Sequence, residues 1–194
     1  YCSELIEPGD ILTIGESPLA IIQGRYISPN SIQPSFLSRL LCSSFHPTSS
    51  LATAIGMQSL IDIVGPIRVL LAWIIGAFLK LFGIKGCFYR LAGDQARLID
   101  DITGTTAPYD QTLVLGPINL EEICLELSKK LGIEIAIVDV NDLGRVKILQ
   151  SSKNCDTALL TKVLSTNPAG NANQQTPLVL IKPSKANRST SNNK

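Results

Sequence analysis

The segment Asn119–Val140 constrains the chain more than any other. Leu120, Ile123, Cys124, Leu127 and Leu131 recur at helical spacing and form one apolar stripe, with Glu121, Glu126, Lys129 and Lys130 on the opposite side. Asn119 stands at the N-cap position with Glu122 three residues on, an Asn variant of the capping box. Gly132 is the stop signal. The next stretch, "IEIAIVDV", is apolar at odd and even positions alike, as in a strand whose two faces are both covered by helices. With "TLVLG" upstream as a short strand, the spacing predicts a β-α-β unit with a right-handed crossover. The fold class expected is therefore α/β (α+β), a mixed sheet with covering helices.

The rest of the chain supplies the other elements. Gly9-Asp10 signals a turn, and Ile11, Leu12 and Ile14 a first strand; Pro18 interrupts, and Leu19–Ile22 resume as a second strand. Residues 28–50 are rich in Ser and Pro and read as loop, with a short helical piece over Phe36–Leu41. A helix capped by Ser49 or Ser50 carries Leu51, Ile55, Leu60 and Ile63 until Gly65-Pro66 breaks it. A last helix from Asp156 turns Ala158, Leu159, Val163 and Leu164 inward, Asn167-Pro168 ends it, and "LVLIK" is a final strand. Residues 1–182 are expected to form a single domain, with a disordered polar tail over 183–194. The chain does not begin with Met, which leaves room for an upstream strand.

Val69–Leu79 is an uninterrupted apolar run of 11 residues, bracketed by Arg68 and Lys80 and continued by Leu81–Ile84. A membrane span needs roughly 20 such residues. Burial in a core or dimer interface is one reading of the segment, and membrane contact through 69–84 is the other.

Composition excludes several classes of function. Seventeen basic residues balance 16 acidic ones, with no basic stripe, so nucleic acid is not an expected partner. His46 is the only histidine, which removes His-rich zinc sites and leaves any nucleophile–histidine triad resting on one residue. The five cysteines form no C-x-x-C pair and read as small buried hydrophobes in a reducing compartment, so a cytoplasmic protein, in solution or peripheral to a membrane, is expected. Neither a P-loop nor a G-x-G-x-x-G motif is present. A metal here must take oxygen ligands, which points to Mg²⁺ or Mn²⁺.

Two acidic segments offer such ligands. Asp139, Asn141 and Asp142 stand where "IEIAIVDV" surfaces, at the carboxyl end of a strand, where open α/β sheets bind ligands. Asp100 and Asp101 precede "TGTT", a segment with hydroxyls and a glycine that suits close approach to a phosphate. On pattern alone "NDLG" reads first as a hairpin turn. Arg25, Arg90, Arg97 and Arg145 flank apolar segments, and each is a candidate phosphate or carboxylate donor or an ordinary surface residue.

The order of these segments resembles the gamma-glutamyl ligases of the deazaflavin coenzyme F-420. "GDILTIGESPLAIIQGRYI" is similar to that family's glycine-aspartate strand and the glycine-arginine segment after it. "RLIDDITG" falls at its glycine-isoleucine-aspartate motif, and "TLVLGPINLEEICLELSKKLGIEIAIVDVNDLGRV" follows its strand, helix, strand and aspartate-x-x-glycine-arginine turn. The resemblance covers residues 8–150 and implies the ligase fold, with the family's first strand before Tyr1 and residues 66–86 as an added apolar insertion. It implies an intertwined homodimer and a GTP- and metal-dependent ligase that joins a small-molecule carboxylate to the amino group of glutamate.

Carried over by position, the resemblance makes Asp100 and Asp142 metal ligands, supported by Asp139 or Asn141. Thr103, Arg145 and Arg25 become nucleotide- or substrate-binding residues. Five positions depart from the family: Asn141 stands for an aspartate, Asp142 for a hydroxyl residue, Thr103 for an asparagine, Ser17 for a lysine and Gln23 for a glutamate. Losing a preorganised charge of that kind typically costs about a hundredfold or more in rate. The alternative is thus a non-catalytic scaffold, or a membrane-associated protein that keeps the ligase fold.

Overall fold

The computed structural model of the chain describes residues 3–99, 109, 111–141, 144–170 and 176–183. It is a mixed α/β structure that divides into two compact units, residues 1–19 with 117–194, and residues 20–116.

The first unit holds a sheet of four strands, β1 (Ile11–Gly15), β4 (Glu134–Val140), β5 (Val146–Ser151) and β6 (Leu178–Ile181), in the order β5-β4-β1-β6. β1 and β4 are parallel, from Ile11 opposite Glu134 to Gly15 opposite Val138; β5 and β6 flank them antiparallel. The two apolar faces of "IEIAIVDV" are both used. Ile135 and Ile137 pack with Leu12, Ile14 and the stripe of helix α7 (Leu120–Leu131), while Ala136 and Val138 pack with Leu160 and Leu164 of helix α8 (Thr157–Leu164).

Gly132 ends α7 in the left-handed region at φ 69°, its N–H donating to Ser128 O at 2.9 Å. The expected capping box at the other end does not form. Asn119 is itself left-handed, at φ 55°, and its side chain makes no cap bond. N-cap side chains reach the first-turn N–H groups from extended backbone, so this geometry aims the amide elsewhere. Helix α8 is capped as its sequence implies, Asp156 Oδ1 accepting from Leu159 N at 2.9 Å. Leu160 and Leu164 are its buried residues and Leu159 packs beside them as expected, but Ala158 and Val163 are exposed.

The expected β-α-β unit is corrected in its partner. The short strand "TLVLG" contributes β3 (Leu113–Val114), which pairs antiparallel with β2 (Tyr26–Ile27) in the second unit. β4 finds its parallel neighbour in β1 instead. The reason is burial on both sides: four of the five residues of "ILTIG" are buried, which suits the middle of a sheet. β3 has two residues to offer.

The second expected strand, Leu19–Ile22, is also corrected, because helix α1 (Glu16–Ile22) occupies it. Pro18 falls in the first helical turn, where no N–H is needed, and Glu16 suits the positive end of the helix dipole.

The second unit is helical around its β2–β3 ladder. Helices α2 (Phe36–Cys42), α3 (Ala54–Val64), α4 (Pro66–Leu81), α5 (Cys87–Ala92) and α6 (Gln95–Leu98) enclose a core that includes Leu41, Met57, Leu60, Val69, Phe88 and Leu113. The helix expected from Ser49 is split. Ser49 caps a short 3-10 turn over Ser50–Ala52, and α3 starts afresh with Thr53 Oγ1 accepting from Gly56 N at 3.0 Å. Gly65-Pro66 ends α3 as expected, and α3 and α4 meet at a 115° bend. Among the described residues no single helix is long and apolar enough to cross a membrane.

Candidate functional site

The parallel pairing of β1 with β4 puts two carboxyl strand ends side by side. One residue past Gly15, the chain turns into α1 at Glu16, which is buried. One residue past Val138, Gly15's partner, stands Asp139, exposed and opposite Lys147 of β5. This rim thus carries a buried and an exposed carboxylate on adjacent strand ends. Glu16 was not singled out from the sequence. Only the register makes it a neighbour of the Asp139 segment, some 120 residues away in the chain.

The turn after Asp139 is closed by its own residues. Asn141 N donates to Arg145 O at 3.1 Å, Gly144 N donates to Asn141 O at 3.1 Å, and Arg145 N donates to Asn141 Oδ1 at 3.1 Å. Gly144 takes the positive φ, 73°, that such a hairpin requires. Asn141 therefore serves the hairpin, and its amide oxygen holds the turn. Asp142 lies outside the described residues. Arg145 is exposed beside the turn, its backbone fixed by these bonds.

Arg25 is a structural clamp. Its Nε donates to Gly116 O at 2.5 Å and its Nη2 to Gln95 Oε1 at 3.1 Å, tying the end of β3 to α6. Burial lowers its guanidinium from the usual arginine range. Both of these donors face protein oxygens, so the nucleotide-binding role that the resemblance implies for Arg25 is left to its remaining N–H groups. Asp100, Asp101 and Thr103 lie outside the described residues.

Beside Ile99, which precedes Asp100, runs an open groove of about 380 Å³ with Thr48, Ser49, Ser50, Tyr89 and Arg97 on its walls. Three hydroxyl residues in "HPTSS" looked like loop composition in the sequence. Folding brings them to one guanidinium and one phenol, a set able to hydrogen-bond phosphate or carboxylate oxygens.

Other chemistries find less support. His46 is exposed, and its Nδ1 lies 2.8 Å from Thr48 Oγ1. Burial pushes the Cys124 thiol up to about 11, against the lowering effect of the Ile137 backbone, and burial with Glu134, Asp156 and Cys124 nearby pushes Cys155 up to about 12. Both thiols stay protonated at neutral pH, which makes them weak nucleophiles.

No group of three or more His, Cys, Asp or Glu converges among the described residues. A magnesium ion does not need one. It commonly binds through one or two carboxylates and completes its shell with water and substrate phosphates. Among the described residues the β1–β4 rim carries two carboxylates, Glu16 and Asp139, and no all-protein cage. No model of a known protein family matches the chain, and no curated protein matches it.

Proposed function

We propose that the chain is a divergent ligase of the gamma-glutamyl type, which binds GTP with Mg²⁺ or Mn²⁺ and joins a small-molecule carboxylate to glutamate. The observation that carries this reading is the β1–β4 rim. There the "LTIG" and "IAIV" segments, both part of the sequence resemblance, are brought together by parallel strand pairing. In the first unit the ion would be held by Asp142 with Asp139 in support; Asp100 is the ligand candidate of the second unit. Asn141, engaged in the turn, is the weakest of the four candidates. When bound, the ion would neutralise charge on the transferring phosphate.

In that reaction an oxygen of the substrate carboxylate attacks the terminal phosphorus of GTP and GDP leaves. The glutamate nitrogen then attacks the acyl carbon and displaces phosphate, and its proton passes to solvent. Arg145, Thr103 and Arg97 are the donors from this chain suited to phosphate oxygens.

The test is calorimetric titration of GTP into the protein with and without Mn²⁺. Metal-dependent binding is expected, together with its loss in Asp100→Ala and in Asp142→Ala. A protein that binds neither GTP nor ATP in the presence of metal overturns the proposal. If binding persists unchanged in both variants, those carboxylates are not its ligands, and the scaffold reading replaces the ligase.

A further inference from the structure

The sequence left helix α4 two readings, burial in a core or dimer interface and membrane contact; the structure puts most of it at the surface. Val69 and Ala72 are its buried residues. Ile67, Leu71, Ile74, Phe78 and Leu81 are exposed, Leu81 at 81%, and Phe82 and Ile84 continue the apolar surface past the helix end. A contiguous apolar surface of this kind on a folded unit marks an interaction site.

Charge says what kind of surface would cover it. Between Ile63 and Gly93 the chain has Arg68, Lys80, Lys85 and Arg90, and no Asp or Glu at all. All four cations are exposed. An apolar surface on a segment whose own charged residues are all cations matches the boundary between acyl chains and anionic headgroups, with the long basic side chains reaching to the phosphates. A second copy of the chain is a poorer occupant, because pairing this face with itself brings like charges together.

Length and connection decide the orientation. Sixteen helical residues reach about 24 Å at 1.5 Å per residue, short of the ~30 Å hydrocarbon layer. Helix α3 cannot extend the span, since it leaves at the 115° bend with Gly56–Ile61 buried in the core. At that elbow lies an open apolar groove of about 530 Å³, with Val64, Pro66, Ile67, Leu71, Ile75 and Leu91 on its walls and Arg68 beside them. Arg68 is held there by donation from its Nε to Leu91 O at 2.9 Å.

We infer that α4 and the Phe82–Lys85 turn lie in the plane of an anionic phospholipid surface and anchor the protein there. The test uses the full chain and vesicles of phosphatidylcholine, with or without phosphatidylglycerol. The protein is expected to float with the anionic vesicles, and less so as salt rises. Ile74→Glu with Phe78→Glu should abolish flotation while the circular dichroism spectrum is kept. Lys80→Glu with Lys85→Glu should remove the preference for anionic vesicles.

Trp73, the only tryptophan, sits on α4, so quenching of its fluorescence by brominated lipid tests the unaltered protein. Absence of both flotation and quenching overturns the inference. It is equally overturned if the protein does not float but forms a dimer that the Ile74→Glu, Phe78→Glu variant converts to monomer. In that case a second copy owns the face.

Discussion

Asn141 shows how one residue type can satisfy two readings until its hydrogen bonds are known. An amide after an acidic strand end suits a metal site or a hairpin turn, and the Asn141 Oδ1 bond to Arg145 N gives it the second role. Asp10 resolves in a similar way. The "GD" pair is part of the ligase resemblance, yet the Asp10 carboxylate is buried, accepts from Glu7 N at 2.9 Å and faces Lys182 Nζ at 4.0 Å. Ser59 is the opposite case: among the described residues its Oγ is a buried side-chain polar atom without a partner. A buried, unsatisfied hydroxyl is unfavourable, and Ala is the better helix former. Ser59→Ala should therefore stabilise the protein by roughly 1 kcal/mol, seen as a rise of about 2–4 °C in Tm. An unchanged or lowered Tm would mean that the hydroxyl is satisfied.

At the scale of elements, periodicity identified the helices with a distinct stripe and erred where local signals were ambiguous. Leu19–Ile22 is a four-residue apolar run that suits strand or helix equally, and Pro18 decided for helix by sitting in its first turn. Helix α4 was recognisable, but its surroundings were not, because a run that is apolar all round does not say which side meets the core. Its inner side depends on Gly76: a Cβ there would lie 3.1 Å from Phe88 N, so α4 and α5 approach closely because that residue is glycine. Gly76→Leu should force them apart and destabilise the chain by about 1–3 kcal/mol in denaturant titration. Phe78→Leu, on the exposed side of the same helix, should leave the midpoint nearly unchanged.

For the molecule as a whole, the buried Cys124 and half-buried Cys155 thiols of the sheet unit tie stability to alkaline pH. In the unfolded chain a thiol titrates near 9, whereas folded Cys124 and Cys155 keep their protons up to about 11 and 12. Between those values the unfolded state holds fewer protons, so stability is full below pH 9 and falls as pH rises. Urea midpoints measured from pH 8 to 10.5 should fall more steeply for the natural protein than for a Cys124→Ala, Cys155→Ala variant; parallel curves would show that the thiols do not contribute.

The mixed α/β class, the α7–Gly132–β4 succession and the acidic hairpin after β4 were legible in the sequence, because each follows from local periodicity and turn chemistry. The pairing of β1 with β4, the placing of Glu16 beside Asp139 at one rim, the clamping of Arg25 and the exposure of α4 were decided only by tertiary structure. Strand partners and helix environments depend on which distant surfaces bury one another, and no local pattern encodes that.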